Sequence, residues 1–333
     1  MAIQSSGIIT LQDIEDEFGG TGSVSLSEYY RNGAYVTSNN TSVPTSGAIS
    51  LSNFYGATNQ FTFNISSHTQ NANIRTLAIN AGWDGSAPLI ANVNSGVYLW
   101  SDSTSTGGAI ISGSFAGGLT LNNYGKIIGR GGNAGQNGGP ALTVASSGVA
   151  VLNASGAYIA GGGGGGGSSY SGDNGTNSNK DWINGGGGAG GGSGAGYAAG
   201  SGGAIGQAGS NGGATSSRDE GPGAPAGGGG AGGGSGGDIS RNSGTTQAGG
   251  GGGGRILPGV GGTKSEHGEG NGGSAGAVGG GGGGGGWGAS GGATTGTIYP
   301  NNGGTRTNPG AGGAAISGTS VSLTNNGTIY GST

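Results

Sequence analysis

Side chains able to act as acids, bases or metal ligands gather at Glu266-His267-Gly268-Glu269 and at the adjacent pair Asp219-Glu220. The first group offers nitrogen and oxygen ligands of the kind a metal ion takes. The second offers two carboxylates, the equipment of glycoside hydrolysis. Neither has the spacing its chemistry needs. Carboxylates on neighbouring residues of an extended segment point apart rather than flanking one bond, and three ligands on a glycine-rich loop read as ordinary polar residues. Asp13, Glu15, Asp16 and Glu17 form an acidic group with no histidine beside it and read as a solvated face. No Gly-Lys-Ser/Thr phosphate loop is present, and Gly-x-Gly-x-x-Gly matches arise from composition alone. With no cysteine, and no Ser-His-Asp arrangement above chance, no enzyme activity, cofactor or metal site is expected.

What remains is binding chemistry, and composition narrows it. Ten Lys/Arg against fourteen Asp/Glu give a net charge of −4 with no basic stripe, which disfavours nucleic acid. Only 30% of the 333 residues are hydrophobic, so one large apolar core is not expected. Met1–Ser6 carries neither a positive nor an apolar targeting region, and no stretch approaches a membrane span, so synthesis in the cytoplasm without export or membrane insertion is expected.

The residues suited to binding are held between glycine runs. Between Gly161 and Gly286 stand runs of seven, four, four, six and eight glycines, separated by segments of unrelated sequence. Glycine has no side chain to pack and loses the most backbone freedom on folding, so such runs need a special structural use. Extended threefold helices supply one. Without side chains they approach closely enough to hydrogen-bond through their backbones, supplemented by weak Cα–H···O contacts. Composition alone would equally fit a disordered chain, but the runs are pure glycine and are bracketed by matching repeats. On this reading the intervening segments are loops at the rod ends. They carry Tyr170 and Trp182 in 168–184, Arg218 in 214–226, Arg241 after the next run, Arg255, Ile256, Leu257 and His267 in 255–278, and Trp287, Tyr299 and Arg306 in 287–310. Aromatics and arginine are the usual anchors of binding surfaces. The alternative for Trp182 and Trp287 is a structural one, capping the glycine lattice.

The flanking sequence is repetitive in two ways. Residues 1–58 hold Ile9-Thr10-Leu11-Gln12-Asp13-Ile14, Val24-Ser25-Leu26-Ser27-Glu28-Tyr29 and Ile49-Ser50-Leu51-Ser52-Asn53-Phe54. Each places Ser or Thr three residues before Asp, Glu or Asn, which predicts an extended residue and then a short helical turn. Residues 59–160 read as strands, including Phe61–Ile65 and Asn73–Ile79, and contain a repeat: Leu119–Gly129 matches Val149–Ile159, with a third copy at Val321–Gly331. Each copy reads as strand, Asn/Gly turn, strand, and such repeats stack as rungs. The expected fold is therefore mostly β and irregular. It comprises a small N-terminal repeat module (1–58), a β-strand rung domain (59–160), a glycine-rich domain of stacked polyglycine-II-type helices (161–311) and a C-terminal rung (312–333) returning to the β domain.

Val24-Ser25-Leu26-Ser27-Glu28-Tyr29-Tyr30-Arg31, with Pro44–Gly56, resembles a module common at the start of phage virion proteins. The alternation of glycine runs with variable segments is similar to the distal long-tail-fibre adhesins of some T-even-type phages. That resemblance implies a sandwich of threefold glycine helices whose variable loops touch a bacterial surface receptor, protein or polysaccharide. It also implies residence in the virion tail and attachment of residues 1–58 to other tail or fibre proteins. The competing implication is a purely structural tail component or connector whose loops meet a neighbouring virion protein. The N-terminal repeats and strand rungs depart from those adhesins and suggest a different mounting.

Overall fold

The computed structural model describes residues 2–20, 22–132, 135–166, 168–172, 180–183, 214–215, 238–240, 246–248, 285–293 and 305–333. These residues are mostly strands in parallel sheets, with few helices. The first sheet stacks β1 (Phe61–Ile65), β4 (Leu89–Val93), β7 (Leu119–Asn123), β10 (Val149–Asn153) and β19 (Ser322–Asn325). The second stacks β2 (Thr69–Gln70), β5 (Tyr98–Trp100), β8 (Lys126–Ile128), β11 (Tyr158–Ala160) and β20 (Thr328–Tyr330). The third stacks β3 (Ala72–Asn73), β6 (Ala109–Ile111), β9 (Leu142–Val144) and β18 (Ile316–Gly318). Consecutive strands visit the three sheets in turn, so the chain coils as a solenoid and every rung pairs only with its neighbours.

Alternation builds this coil. In β1, β4, β7 and β10 every second residue is buried, and parallel register stacks Phe61, Leu89, Leu119 and Val149 in one inward row. The inward rows of all three sheets merge in one hydrophobic cluster that includes Leu99, Ile111, Leu121, Ile127, Val151 and Ile159. Polar residues stack as well. Asn123 Nδ2 donates to Asn153 Oδ1 at 2.9 Å and Asn153 Nδ2 to Asn325 Oδ1 at 2.8 Å, with Asn123 and Asn153 wholly buried. An in-register asparagine ladder satisfies each buried amide with the one below it, which an out-of-register stack would not.

Residues 74–80, expected as strand, are instead the helix α2 (Ile74–Asn80). Asn73 decides this: its side chain accepts from Thr76 N–H at 3.0 Å as an N-cap, and Ile74 and Ala78 then fall on one buried face. The helix packs on β3 and β6.

Each of the three N-terminal repeats forms an extended residue followed by a helical turn: α1 (Leu11–Phe18), then 3-10 turns at Leu26–Glu28 and Leu51–Phe54. Backbone N–H groups of Thr10, Ser25 and Ser50 donate to the side chains of Asp13, Glu28 and Asn53 at 2.7, 3.2 and 2.8 Å. The bonds from the Thr10 backbone and hydroxyl hold the Asp13 carboxyl below its ordinary range. The turns bring Ile14, Tyr29 and Phe54 into a second cluster separate from the solenoid core. Hydrogen bonds link this unit to the solenoid and its approach: Asn39 Nδ2 donates to Thr62 O at 2.9 Å, and Asn59 N–H to Glu17 Oε1 at 2.8 Å.

Candidate functional site

Three excursions, one each from the second, third and fourth rungs, leave the solenoid at one corner, between the second and third sheets. Residues 101–108 leave there in the second rung, 129–141 in the third and 161–315 in the fourth. The last of these departs after β11, and the chain resumes the same rung at β18, where Ile316 pairs with Leu142.

Described glycines of these excursions bond with a step of three. Gly129, Gly132 and Gly135 N–H donate to Ala160, Gly163 and Gly166 O, each at 2.8 Å. Gly162 and Gly165 N–H donate to Gly139 and Gln136 O at 2.8 and 2.9 Å, and their carbonyls accept from Gly313 and Gly310 at 2.7 and 2.8 Å. Gly161 and Gly164 carbonyls accept from Gly288 and Gly285 at 2.8 Å. The segment 160–166 thus directs three rows of residues at three sets of neighbours. An α-helix would bond within itself and a pleated strand would alternate with period two; neither gives this pattern.

Only glycine fits here. A Cβ on Gly161 would overlap the Gly313 carbonyl, and one on Gly164 the Gly310 carbonyl, with backbone atoms on both sides of the clash.

Beyond the glycine segments the chain forms an antiparallel sheet, in the order β14 (Ala214–Thr215), β13 (Lys180–Ile183), β12 (Ser168–Gly172) and β17 (Thr305–Thr307). A separate hairpin pairs β15 (Asp238–Ser240) with β16 (Thr246–Ala248). Three sequence-predicted binding residues meet in the four-stranded sheet, on strands where loops were expected. Tyr170 is the register partner of Trp182 and of Thr305, Trp182 pairs with Thr215, and Arg306 pairs with Ser169. Arg218, Arg241, Arg255, Ile256, Leu257, His267 and Tyr299 lie outside the described residues, as do Asp219-Glu220 and Glu266–Glu269.

Trp287 is placed apart from these, buried at 6% exposure against Ile128 and Ala160. Its ring centroid lies 4.9 Å from that of Tyr158 and 5.5 Å from that of Tyr330. This is the capping geometry, with the ring closing the glycine segment onto the second sheet.

The neighbouring stack was not foreseen from sequence. Lys126 Nζ sits 4.6 Å from the Tyr98 ring centroid and 5.4 Å from that of Tyr158, and donates to Tyr98 Oη at 2.8 Å. Tyr98, Lys126 and Tyr158 are register partners on successive rungs, so aligning the repeats would have found them.

Among solved structures, the gp37–gp38 adhesin tip complex of the bacteriophage S16 long tail fibre is similar, at 20% identity and a TM-score of 0.43, over 86% of this chain and 88% of that chain. No curated protein sequence matches. Residues 60–231 match the phage tail fibre adhesin Gp38 family. Because that match covers more than half of the chain, running from the first rung into the glycine-rich excursion, the chain belongs to the phage tail fibre adhesin Gp38 family.

Proposed function

We propose that this tail fibre adhesin binds a host cell-surface receptor through loops displayed on a stack of polyglycine-II-type helices spanning residues 161–311, while residues 1–58 attach it to other tail proteins. The observation that carries this reading is the three-residue hydrogen-bonding step of the described glycines. A platform held by backbone bonds between glycines places no demand on the sequences joining its runs, so those segments are free to suit a receptor. Tyr170, Trp182, Arg218, Arg241, Arg255, Ile256, Leu257, His267, Tyr299 and Arg306 supply the contacts, and Trp287 anchors the platform. A rigid support lowers the ordering cost of binding. The adhesin acts in the virion tail and needs no catalytic group or cofactor.

Trp182→Ala combined with Arg255→Ala is expected to weaken binding of the purified protein to host cells by about 2 kcal/mol, roughly 25-fold, with the melting temperature unchanged. Equal binding by the double variant would remove both residues from the contact and favour a structural connector.

A further inference from the structure

Packing, rather than hydrogen bonding, holds Trp287 in place. Its indole N–H is buried with no acceptor among the described residues. What fixes the ring is its seat on Ile128 and Ala160 and its contacts with Tyr158 and Tyr330, at 4.9 and 5.5 Å between centroids. Tyr158 is half-buried on the outer face of the second sheet, where a strand side chain has more than one staggered rotamer open to it. Trp287 therefore keeps its place only if Tyr158 keeps one rotamer. The row that contains Tyr158 supplies the restraint. Tyr98, Lys126 and Tyr158 occupy the same outward register position on three successive rungs. The two tyrosines are two rungs apart, roughly 9.6 Å, and the Lys126 ammonium spans that gap, 4.6 Å from one ring centroid and 5.4 Å from the other. Tyr98 is itself fixed: its hydroxyl accepts from Lys126 at 2.8 Å, its ring meets that of His68 edge-on at 5.4 Å, and its N–H donates to His68 Nδ1 at 3.1 Å. A lysine usually leaves its ammonium in water. This one is half-buried between two aromatic rings.

We propose that Lys126 is a positioning residue for the glycine platform: lodged between Tyr98 and Tyr158, its ammonium holds the Tyr158 ring in the orientation on which Trp287 packs. It acts on the platform through Tyr158, by attraction to the ring. This role rests on the reading of Trp287 as the platform's anchor. The effect is read in the backbone beside that anchor. Gly288 and Gly285 N–H donate to the Gly161 and Gly164 carbonyls at 2.8 Å, so an indole that loses its seat loosens these bonds.

Amide hydrogen exchange of the full-length protein tests it. Lys126→Met keeps an unbranched stem and removes the charge. It is expected to speed exchange at Gly285 and Gly288 at least about fivefold, the scale of one cation–π contact. Exchange at Leu119, whose N–H donates to Gly148 O within the solenoid, should not change. Lys126→Arg keeps a cation at the rings and should restore most of the protection. Equal acceleration at Leu119 would make Lys126 a general stabiliser of the rungs and overturn the proposal, as would no acceleration in Lys126→Met or the same acceleration in Lys126→Arg. If Lys126→Met does not fold, Tyr98→Phe, which removes only the hydroxyl that Lys126 bonds, is expected to speed the same two amides, and unchanged exchange there would overturn the proposal. Trp287→Ala separates this role from the reading beneath it. If that variant speeds Gly288 and Lys126→Met does not, the anchor stands and the role of Lys126 falls; if neither does, the anchor falls as well.

Discussion

Gly162→Ala is expected to destabilise the protein by more than about 3 kcal/mol, in the range reserved for overpacking that cannot relax. The added Cβ would overlap the carbonyl carbon and oxygen of Arg130 and stand 2.9 Å from the Gly131 nitrogen. All three are main-chain atoms, so no rotamer change clears the space. Moving the 161–166 segment instead would break the bonds Gly162 makes to Gly139 and accepts from Gly313. Gly148→Ala supplies the control. Gly148 has φ of +70° with nothing within 4 Å of its notional Cβ, so alanine there costs only the backbone strain of a left-handed residue, about 1 kcal/mol. Thermal melts of the two variants should differ plainly. Equal losses would mean that glycine at 162 serves backbone freedom rather than close approach.

Asn153→Ala is expected to cost about 1–3 kcal/mol, because it removes a wholly buried amide that is hydrogen-bonded on both sides. Asn153 Nδ2 donates to Thr328 O at 3.1 Å as well as to Asn325, and its Oδ1 accepts from Asn123. Removing the amide takes a bond from the buried Asn123 amide, which keeps its bond to the Tyr158 carbonyl, while solvent reaches Asn325 and Thr328 at the rim. Replacement of the exposed Asn64, at the end of the outer Asn64–Asn92–Asn122 row, should cost under about 0.5 kcal/mol, since solvent replaces its single bond to Asn92. Denaturant unfolding of Asn153→Ala and Asn64→Ala distinguishes a ladder that locks the rungs from one that merely accompanies them. Similar values for both would show that burial of the amides is not what matters.

The solenoid was legible because its signals are local and repeated. Val149-Ala150-Val151-Leu152-Asn153 and Ser322-Leu323-Thr324-Asn325 alternate with period two and end on the same residue. The capping spacing at Thr10, Ser25 and Ser50 was equally direct. The helix at Ile74–Asn80 was obscured because Ile74, Thr76 and Ile79 favour strand by type, and only the Asn73 cap tips the segment. A capping role for Trp287 was open in the sequence as an alternative to binding, but its partners were not legible. Its partners Tyr158 and Tyr330 come from opposite sides of the glycine block, and only the completed fourth and fifth rungs bring them together. Glycine runs announce close packing but carry no side chains to set register, so which run meets which had to come from three dimensions. The pairing of Tyr170 with Trp182 was hidden for a related reason: a hairpin placed between glycine segments has little flanking pattern to mark it.

The central claim is that the segments between glycine runs touch the receptor while the glycines only hold them. Competition for phage adsorption tests it most directly, using purified protein and a variant whose residues 168–184 and 255–278 are replaced by Gly-Ser sequence of equal length. The native protein should occupy host receptors and block adsorption, and the variant, with its solenoid melting unchanged, should not. Equal blocking by the loop-replaced variant would contradict the account and move the binding surface to the solenoid or the N-terminal unit.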